Sequence, residues 1–157
     1  MKRIVFCIFV FCGILFAAKS GKVSADSVRW ENYSEALASA KSDHKLIFVD
    51  IVADWCVPCR EMDKTTYRDK SVITLLNSRF HAVRLNQEVQ DSIICDDKKL
   101  PANRCFFDVW NLQAVPSYVL IAPKGLSILT YSGKLSSDEL RMLLMQFLEK
   151  EKEWISQ

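Results

Sequence analysis

The run 46-LIFVDIVADWCVPC-59 decides the fold of this chain. Its first half, Leu46–Val52, is short, apolar and β-branched with a single acid inside it, which is typical of a strand buried on both faces of a sheet. Two cysteines, Cys56 and Cys59, follow within a few residues in C-x-x-C spacing. Pro58 has a preset φ and no N–H, which favours the first turn of a helix. We therefore predict a buried strand that ends just before a helix, with both cysteines at the junction.

This junction has the properties that thiol–disulfide exchange requires. The thiolate, not the thiol, attacks a disulfide. At the start of a helix, free backbone N–H groups and the positive end of the helix dipole favour an anion, so Cys56 is the predicted attacking residue. Cys59 lies one turn further along the same helix, within reach of the Cys56 sulfur, and we expect it to be the more buried of the two.

A zinc site is the main alternative for the C-x-x-C motif. A tetrahedral zinc site needs four Cys or His ligands, which often come as two close pairs. The remaining candidates are Cys95 and Cys105, ten residues apart, or His44 and His81, which are far apart. Because neither pair has the usual close spacing, and Trp55 and a buried strand precede the motif, we interpret it as redox-active and expect no metal.

The rest of the chain predicts one mixed α/β domain. Predicted helices cover 31–42 and 59–77, with a break near 67–70, and a last helix begins at Ser136; predicted strands cover 46–52, 80–85, 116–122 and 126–131. Ser136 with Glu139 three residues later has the spacing of a capping box. This order of elements predicts a central mixed sheet with helices on both faces, interrupted by an irregular or helical stretch after residue 86.

Residues 1–25 form a predicted secretory signal. Two basic residues open it, 15 residues over 4–18 are apolar apart from one glycine, and small residues stand at 23–25. As a helix the apolar run spans about 22 Å, short of the ~30 Å hydrocarbon core of a bilayer. This favours cleavage before Asp26 over the alternative, a retained membrane anchor, and leaves 26–157 as the folded domain.

The net charge of the chain comes from this segment. The whole chain has 21 basic and 19 acidic residues, and residues 1–25 hold four of the basic and none of the acidic ones. The domain therefore has 17 basic against 19 acidic residues, a formal charge of −2. No basic patch with interleaved aromatic residues occurs, so we expect no nucleic-acid partner.

The run ADWCVPCREMDKTTY over 53–67 resembles thioredoxin, and more closely the periplasmic C-terminal thioredoxin-like domain of DsbD. As a small exported chain the protein resembles the DsbH-type oxidoreductases, from about Trp30 to the C-terminus. The resemblance implies a thioredoxin fold, a periplasmic location, no cofactor, and protein thiols and disulfides as substrates. It also implies a membrane-embedded redox partner. We expect a monomer, because the chain has no room for the separate dimerisation domain of periplasmic isomerases.

The resemblance also implies roles for two charged residues. Asp50 stands where thioredoxin-like proteins hold a buried acid, which implies proton exchange with Cys59. Burial raises the pKa of a carboxyl group, which favours acid–base work near neutrality. The alternative, an aspartate at a strand edge facing solvent, stays open from the sequence. Arg84 stands where the family often has a lysine close to the acid, so we expect a charge pair.

A substrate-binding surface follows from the same resemblance. Val115-Pro116 falls where the family has a cis-proline facing the cysteines, although a trans proline at the start of a strand is the ordinary interpretation of the sequence alone. In this fold the backbone of the residue before the proline pairs with a substrate strand. The predicted substrate-binding residues are Trp55, Val57, Pro58, Val115 and Pro116.

The stretch 87–114 is an insertion relative to a minimal thioredoxin, and Cys95 and Cys105 bracket a polar run inside it. In an oxidising compartment two such cysteines indicate a structural disulfide. A second redox pair that relays electrons and two buried free thiols stay open as alternatives. Because the loop is polar and contains Pro101, we expect it to contribute little core of its own.

The direction of the reaction is predicted from one position. Strongly oxidising DsbA-type proteins have a histidine directly before the second cysteine, and Pro58 stands there in this chain. We therefore expect a potential nearer to thioredoxin's, about −270 mV, than to DsbA's, about −120 mV. This predicts a protein disulfide reductase. A periplasmic oxidase or cytochrome-maturation thioredoxin, and a non-catalytic binding module of the same fold, remain the alternatives.

Overall fold

A computed structural model describes residues 26–156, so the predicted signal over 1–25 lies outside the described residues. The strands are β1 (Leu46–Val52), β2 (Phe80–Asn86), β3 (Ser92–Cys95), β4 (Lys98–Pro101), β5 (Ser117–Ile121) and β6 (Ser127–Ser132). The helices are α1 (Tyr33–Asp43), α2 (Val57–Lys64), α3 (Lys70–Arg79), α4 (Ala102–Arg104), α5 (Ser137–Glu149) and α6 (Glu151–Ser156). Among these residues, no helix has the length and apolar character needed to cross a membrane.

The central sheet is mixed, as predicted, with the strand order β2-β1-β5-β6. β1 pairs in parallel with β2 and antiparallel with β5, and β5 pairs antiparallel with β6. Because β1 has a neighbouring strand on each side and packed layers over both of its faces, it is buried along nearly its whole length. Its alternate residues face opposite layers: Ile47 and Val49 face α1, while Phe48 faces α2, α3 and α5.

Local signals position the helices around this sheet. α1 begins after Asn32, whose side chain accepts from the backbone N–H groups of two residues in the first turn. The predicted break between the second and third helices is confirmed: a 3-10 turn at Thr66–Arg68 separates them, and Asp69 caps the third helix. The predicted capping box of Ser136 and Glu139 is present at the start of α5.

The predicted helices on both faces of the sheet are confirmed. α2, α3 and α5 cover one face, where their apolar side chains meet those of β1 and β5. α1 covers the other face together with the stretch 87–114. Each face thus has its own hydrophobic cluster, and the sheet separates them.

The stretch 87–114 contributes to the core mainly on both sides of the polar loop between Cys95 and Cys105, the part for which little core is expected. β3 and β4 form a hairpin whose turn, Asp96-Asp97, has positive φ at both positions (44° and 64°), and a π-helical turn follows at Cys105–Val109. Its buried apolar residues are Ile93, Ala102, Phe106, Trp110 and Leu112. Ile93 alternates with exposed residues in the hairpin, and Phe106, Trp110 and Leu112 lie beyond the polar run, so composition alone conceals their common face.

Candidate active site

The C-x-x-C pair lies where the sequence predicts it, between β1 and α2. Cys56 is the N-cap of α2 with extended backbone angles (φ −72°, ψ 101°), and its Sγ accepts from the backbone N–H of Cys59 at 3.2 Å. The two cysteines form a disulfide with their Cα atoms 5.3 Å apart. A sulfur at a helix N-cap that already accepts a backbone N–H is in a position that stabilises negative charge.

Both cysteines are buried in this disulfide state. Cys56 is 1% exposed and Cys59 5%, so the expectation that Cys59 is the more buried of the two is wrong. The reason is that both lie in one small apolar cluster with Ala53, against which Val52 and Val115 pack. The backbone N–H of Cys56 also donates to the carbonyl of Ala53 at 3.0 Å.

The surface on both sides of Cys56 is apolar and open. Trp55 is 60% exposed and Val57 55%. The loop that carries them is held from the end of β2: Asn86 Nδ2 donates to Asp54 Oδ1 at 2.8 Å, and the N–H of Gln87 donates to the carbonyl of Val52 at 2.9 Å. The exposed side chains therefore stand on an anchored loop.

The Val115–Pro116 peptide bond is cis, as the resemblance implies. Pro116 is buried, and its carbonyl accepts from the N–H of Gly133 at 2.9 Å. Val115 is half-buried and packs against the cluster of Cys56 and Cys59. Within residues 26–156, no backbone hydrogen bond uses its amide or carbonyl. This backbone beside the cysteine pair is therefore open to an added strand.

Asp50 is 1% exposed, so the alternative of a solvent-facing aspartate is wrong. β1 is the second strand from the edge, and α2 covers the face on which Asp50 lies, which explains the burial. The expected charge pair is present: Arg84 donates to Asp50 Oδ2 through Nε at 2.9 Å and Nη2 at 2.8 Å. Burial outweighs the attraction of this guanidinium and raises the pKa of Asp50 to about 6.

Arg84 is held by more than one acid. Its Nη1 lies 2.8 Å from Asp63 Oδ1, and Asp63 belongs to α2, the helix that begins at the cysteine pair. Its Cζ lies 4.3 Å from the ring centre of Trp30 and 5.1 Å from that of Tyr67. At these distances the guanidinium makes cation–π contacts with both rings. The two negative partners raise the pKa of Arg84 despite its partial burial.

These partners of Arg84 had no individual signal in the sequence. Asp63 and Tyr67 belong to the run over 53–67, and Trp30 marks the start of the wider resemblance, but nothing in their spacing connects them to residue 84. On the face of the sheet that α2 covers, the hydroxyl of Tyr118 also donates to Met62 Sδ at 2.9 Å, which connects β5 to α2. The sheet around Asp50 is thus bonded to α2 twice, through this contact and through the ion pair of Arg84 with Asp63.

The two histidines considered as zinc ligands interact with other groups. Among residues 26–156, no group of three or more His, Cys, Asp or Glu is arranged to hold a metal ion. His81 lies between Glu31 (Nδ1 to Oε2, 2.8 Å) and Asp43 (Nε2 to Oδ1, 3.1 Å). His44 caps the end of α1 in the left-handed conformation.

Cys95 and Cys105 form a second disulfide, with their Cα atoms 6.0 Å apart. Both are fully buried. The alternative of two free thiols therefore does not describe this structure. The bond joins the end of β3 to the start of the π-helical turn at Cys105–Val109.

A family model described as thioredoxin-like matches residues 29–123, more than half of the chain. The chain belongs to the thioredoxin-like family. With its C-x-x-C pair of Cys56 and Cys59, it is a thioredoxin-like disulfide oxidoreductase.

Curated relatives agree with the resemblance to DsbD. The thiol:disulfide interchange protein DsbD of Vibrio vulnificus (strain YJ016) is 32% identical over 104 residues, which are 63% of this chain and 17% of that protein. DsbD of Pseudoalteromonas atlantica is 38% identical over 48 residues, which are 31% of this chain and 8% of that protein. This thioredoxin-like chain thus spans less than a fifth of the length of either relative.

Solved structures confirm the predicted fold. A thioredoxin from Thermus thermophilus superimposes with a TM-score of 0.65 at 23% identity, covering 80% of this chain and 90% of that one. A DsbH oxidoreductase gives a TM-score of 0.56 at 18% identity, covering 89% and 92%. The oxidised C-terminal domain of Neisseria meningitidis DsbD gives 0.55 at 18% identity, covering 72% and 90%. At these identities the similarity concerns the fold.

Proposed function

We propose that this protein is an exported reductase of protein disulfides that works through a dithiol–disulfide cycle of Cys56 and Cys59. The observation that carries the proposal is the position of Cys56: it caps α2, its Sγ accepts the N–H of Cys59, and Trp55 and Val57 stand exposed beside it. An anion-stabilising helix start next to an open apolar surface favours attack on a disulfide of another protein.

In the first step the thiolate of Cys56 attacks one sulfur of the substrate disulfide. A bond forms between Cys56 Sγ and that sulfur while the substrate disulfide breaks. The second substrate sulfur leaves as a thiolate and takes a proton from solvent. The product is a mixed disulfide between the enzyme and its substrate.

In the second step Cys59 resolves this mixed disulfide. Its thiol gives its proton to the carboxylate of Asp50, and the resulting thiolate attacks Cys56 Sγ. The Cys56–Cys59 disulfide forms while the bond between Cys56 and the substrate breaks, and the substrate sulfur that was bonded to Cys56 leaves as a thiolate and takes a proton from solvent. In total the substrate gains two electrons and the enzyme pair loses two. A carboxyl group with a pKa of about 6 supports this role, because it is largely ionised at neutral pH and holds a proton readily.

The substrate is proposed to bind as an extended strand beside Val115. The free amide and carbonyl of this residue supply main-chain hydrogen bonds, and the exposed Trp55 and Val57 supply apolar contact. Pro58 and Pro116 shape the surface between them. Main-chain recognition selects unfolded or flexible segments over particular side chains, which fits a reductase with several protein substrates.

Export and regeneration complete the proposal. The signal over 1–25 directs the chain out of the cytoplasm and is removed before Asp26, and the mature protein acts as a periplasmic monomer. A membrane-embedded redox partner returns the Cys56–Cys59 disulfide to the dithiol. N-terminal sequencing of the exported protein tests the first part, since a chain that still begins with Met1 in the membrane fraction contradicts it.

One pair of measurements tests the proposed activity. A Cys59→Ser variant should accumulate mixed disulfides with exported proteins, and a Cys59→Ser/Cys56→Ser variant is the matched control that traps none. The potential of the Cys56–Cys59 pair, measured against glutathione, should lie near about −270 mV. A potential near about −120 mV identifies an oxidase instead, and activity that survives in a Cys56→Ser variant identifies a binding module.

A further inference from the structure

The segment that leads to Val115, the proposed substrate-binding residue, begins at Cys105 of the second disulfide. We propose that the Cys95–Cys105 bond positions Val115, and that it thereby sets the preference of the enzyme for polypeptide disulfides over small ones. The inference rests on the proposed function, since it assigns Val115 to substrate binding. It concerns a residue pair that lies outside the reacting C-x-x-C motif.

One end of the bond is attached to the body of the protein. Cys95 ends β3, and its neighbour Ile94 accepts the hydroxyl of Tyr33, on α1, at 2.7 Å. On the other side of Cys95, the carboxylate of Asp96 accepts the N–H of Ser127 at 2.6 Å and its hydroxyl at 2.7 Å. The hairpin that carries Cys95 is therefore bonded both to α1 and to the start of β6.

The other end of the bond begins the segment toward the cysteine pair. The N–H of Trp110 donates to the carbonyl of Cys105 at 2.9 Å, and the N–H of Leu112 donates to the carbonyl of Phe106 at 3.0 Å. Trp110 and Leu112 are buried in the same cluster as the disulfide. The segment is therefore anchored as far as Leu112, and Val115 follows three residues later.

Val115 connects the two cysteine pairs. Its side chain packs against the cluster that contains Cys95 and Cys105, and also against the cluster of Ala53, Cys56 and Cys59. Any displacement of the segment after Cys105 therefore moves the residue whose backbone faces the proposed substrate. A polypeptide substrate uses that backbone, whereas a small disulfide needs only the sulfur of Cys56.

Removal of the bond has a specific expected consequence. Without it, the segment after Cys105 must be ordered on each binding event, and immobilising flexible groups at an interface lowers affinity. We expect the KM for a protein disulfide to rise about five- to tenfold, with kcat unchanged. The rate with a small disulfide should stay within about twofold of the wild-type rate, because that reaction does not use Val115.

The test compares two variants on two substrates. The mature protein with Cys95→Ala/Cys105→Ala is assayed with insulin as the protein disulfide and with hydroxyethyl disulfide as the small one, and a small dithiol is the reductant that regenerates Cys56 and Cys59. Leu144→Ala is the matched control, because it removes a fully buried side chain from the opposite face of the sheet. A KM for insulin that rises in the first variant and not in the control supports the proposal. An unchanged KM, or an equal loss with both substrates, overturns it.

Two further measurements keep the proposal testable in other circumstances. If the double variant does not fold, Leu112→Val retains both disulfides and shortens one side chain on the path to Val115; an unchanged KM for insulin then contradicts the proposal.

If the wild type reduces neither substrate, the proposed function fails, and hydrogen exchange decides the inference alone. Amide exchange over 110–117 should rise in the double variant while exchange over 57–64 stays constant; a uniform change, or none, overturns the positioning role.

Discussion

The two cysteine pairs of this protein are both buried and both bonded, yet they lie in different surroundings. Cys56 and Cys59 lie at the first turn of a helix, under a surface on which Trp55 stands in solvent. Cys95 and Cys105 lie inside the cluster between the sheet, α1 and the insertion. Burial of the sulfur therefore does not distinguish a reactive pair from a structural one. What differs is the backbone position: Cys56 caps α2 and its Sγ accepts the N–H of Cys59, whereas Cys95 ends β3 and Cys105 begins the π-helical turn.

The largest expected effect comes from replacing the attacking sulfur. Cys56→Ser should lower reduction of hydroxyethyl disulfide by about a thousandfold or more, because a hydroxyl cannot form the mixed disulfide. In the same assay Cys95→Ala/Cys105→Ala should retain most of the activity. A double variant that is as inactive as Cys56→Ser would mean that the second pair takes part in the chemistry, and the contrast between the pairs would disappear.

The second prediction separates the pairs by potential. A structural disulfide has a potential below about −300 mV, whereas we expect about −270 mV for the active pair. In a dithiol buffer set near about −285 mV, alkylation followed by mass measurement should find two free thiols, at Cys56 and Cys59, in about three-quarters of the molecules, because about 15 mV is about a threefold ratio for a two-electron couple. Four free thiols would show that Cys95 and Cys105 cycle as well.

The third prediction concerns Asp50, the proposed proton acceptor of Cys59. Asp50→Asn should slow release of substrate from the mixed disulfide by about tenfold at neutral pH, because Cys59 then loses its proton acceptor. In the wild type this rate should rise as the pH passes about 6, where Asp50 ionises, and the rise should be missing in the variant. Rapid-mixing measurements across pH 5 to 8 check both; a variant with the wild-type pH profile contradicts the role.

The same substitution has a predictable effect on stability. Because burial raises the pKa of Asp50 from 3.8 to about 6, its contribution to stability is fully present below pH 3.8 and is lost as the pH rises through about 6. Above that pH the buried charge costs about 1–3 kcal/mol. Asp50→Asn should therefore unfold at higher denaturant concentration than the wild type at pH 7, and at a similar concentration near pH 3.

The smallest expected effect comes from the acid that shares Arg84. Asp63→Asn removes a negative charge that raises the pKa of Asp50 and leaves the guanidinium to Asp50 alone, so the midpoint of the pH–rate profile should move to lower pH. Glu61→Gln is the matched control, because Glu61 lies on the same helix and pairs with Lys134 instead. Equal shifts in both variants would indicate a general effect of charge on the helix.

Most of the secondary structure was predictable because its signals are local. The strand Leu46–Val52 coincides with its predicted range, and the capping box of α5 is contained within four residues. The hairpin of the insertion was not predictable in the same way. Its alternation extends over four residues, too few to stand out, and its buried partners lie on α1 and on the sheet, far away in the chain.

By itself, the sequence determined that a thioredoxin-like fold presents the C-x-x-C pair at the start of a helix, because strand, motif and helix are contiguous along the chain. Only the tertiary structure decided the state of Asp50, since its ionisation depends on burial and on Arg84, 34 residues away. It alone also decided that Arg84 is shared with Asp63 and that Val115 contacts both cysteine clusters. Such contacts depend on how the layers pack, and packing brings together residues whose spacing along the chain has no fixed period.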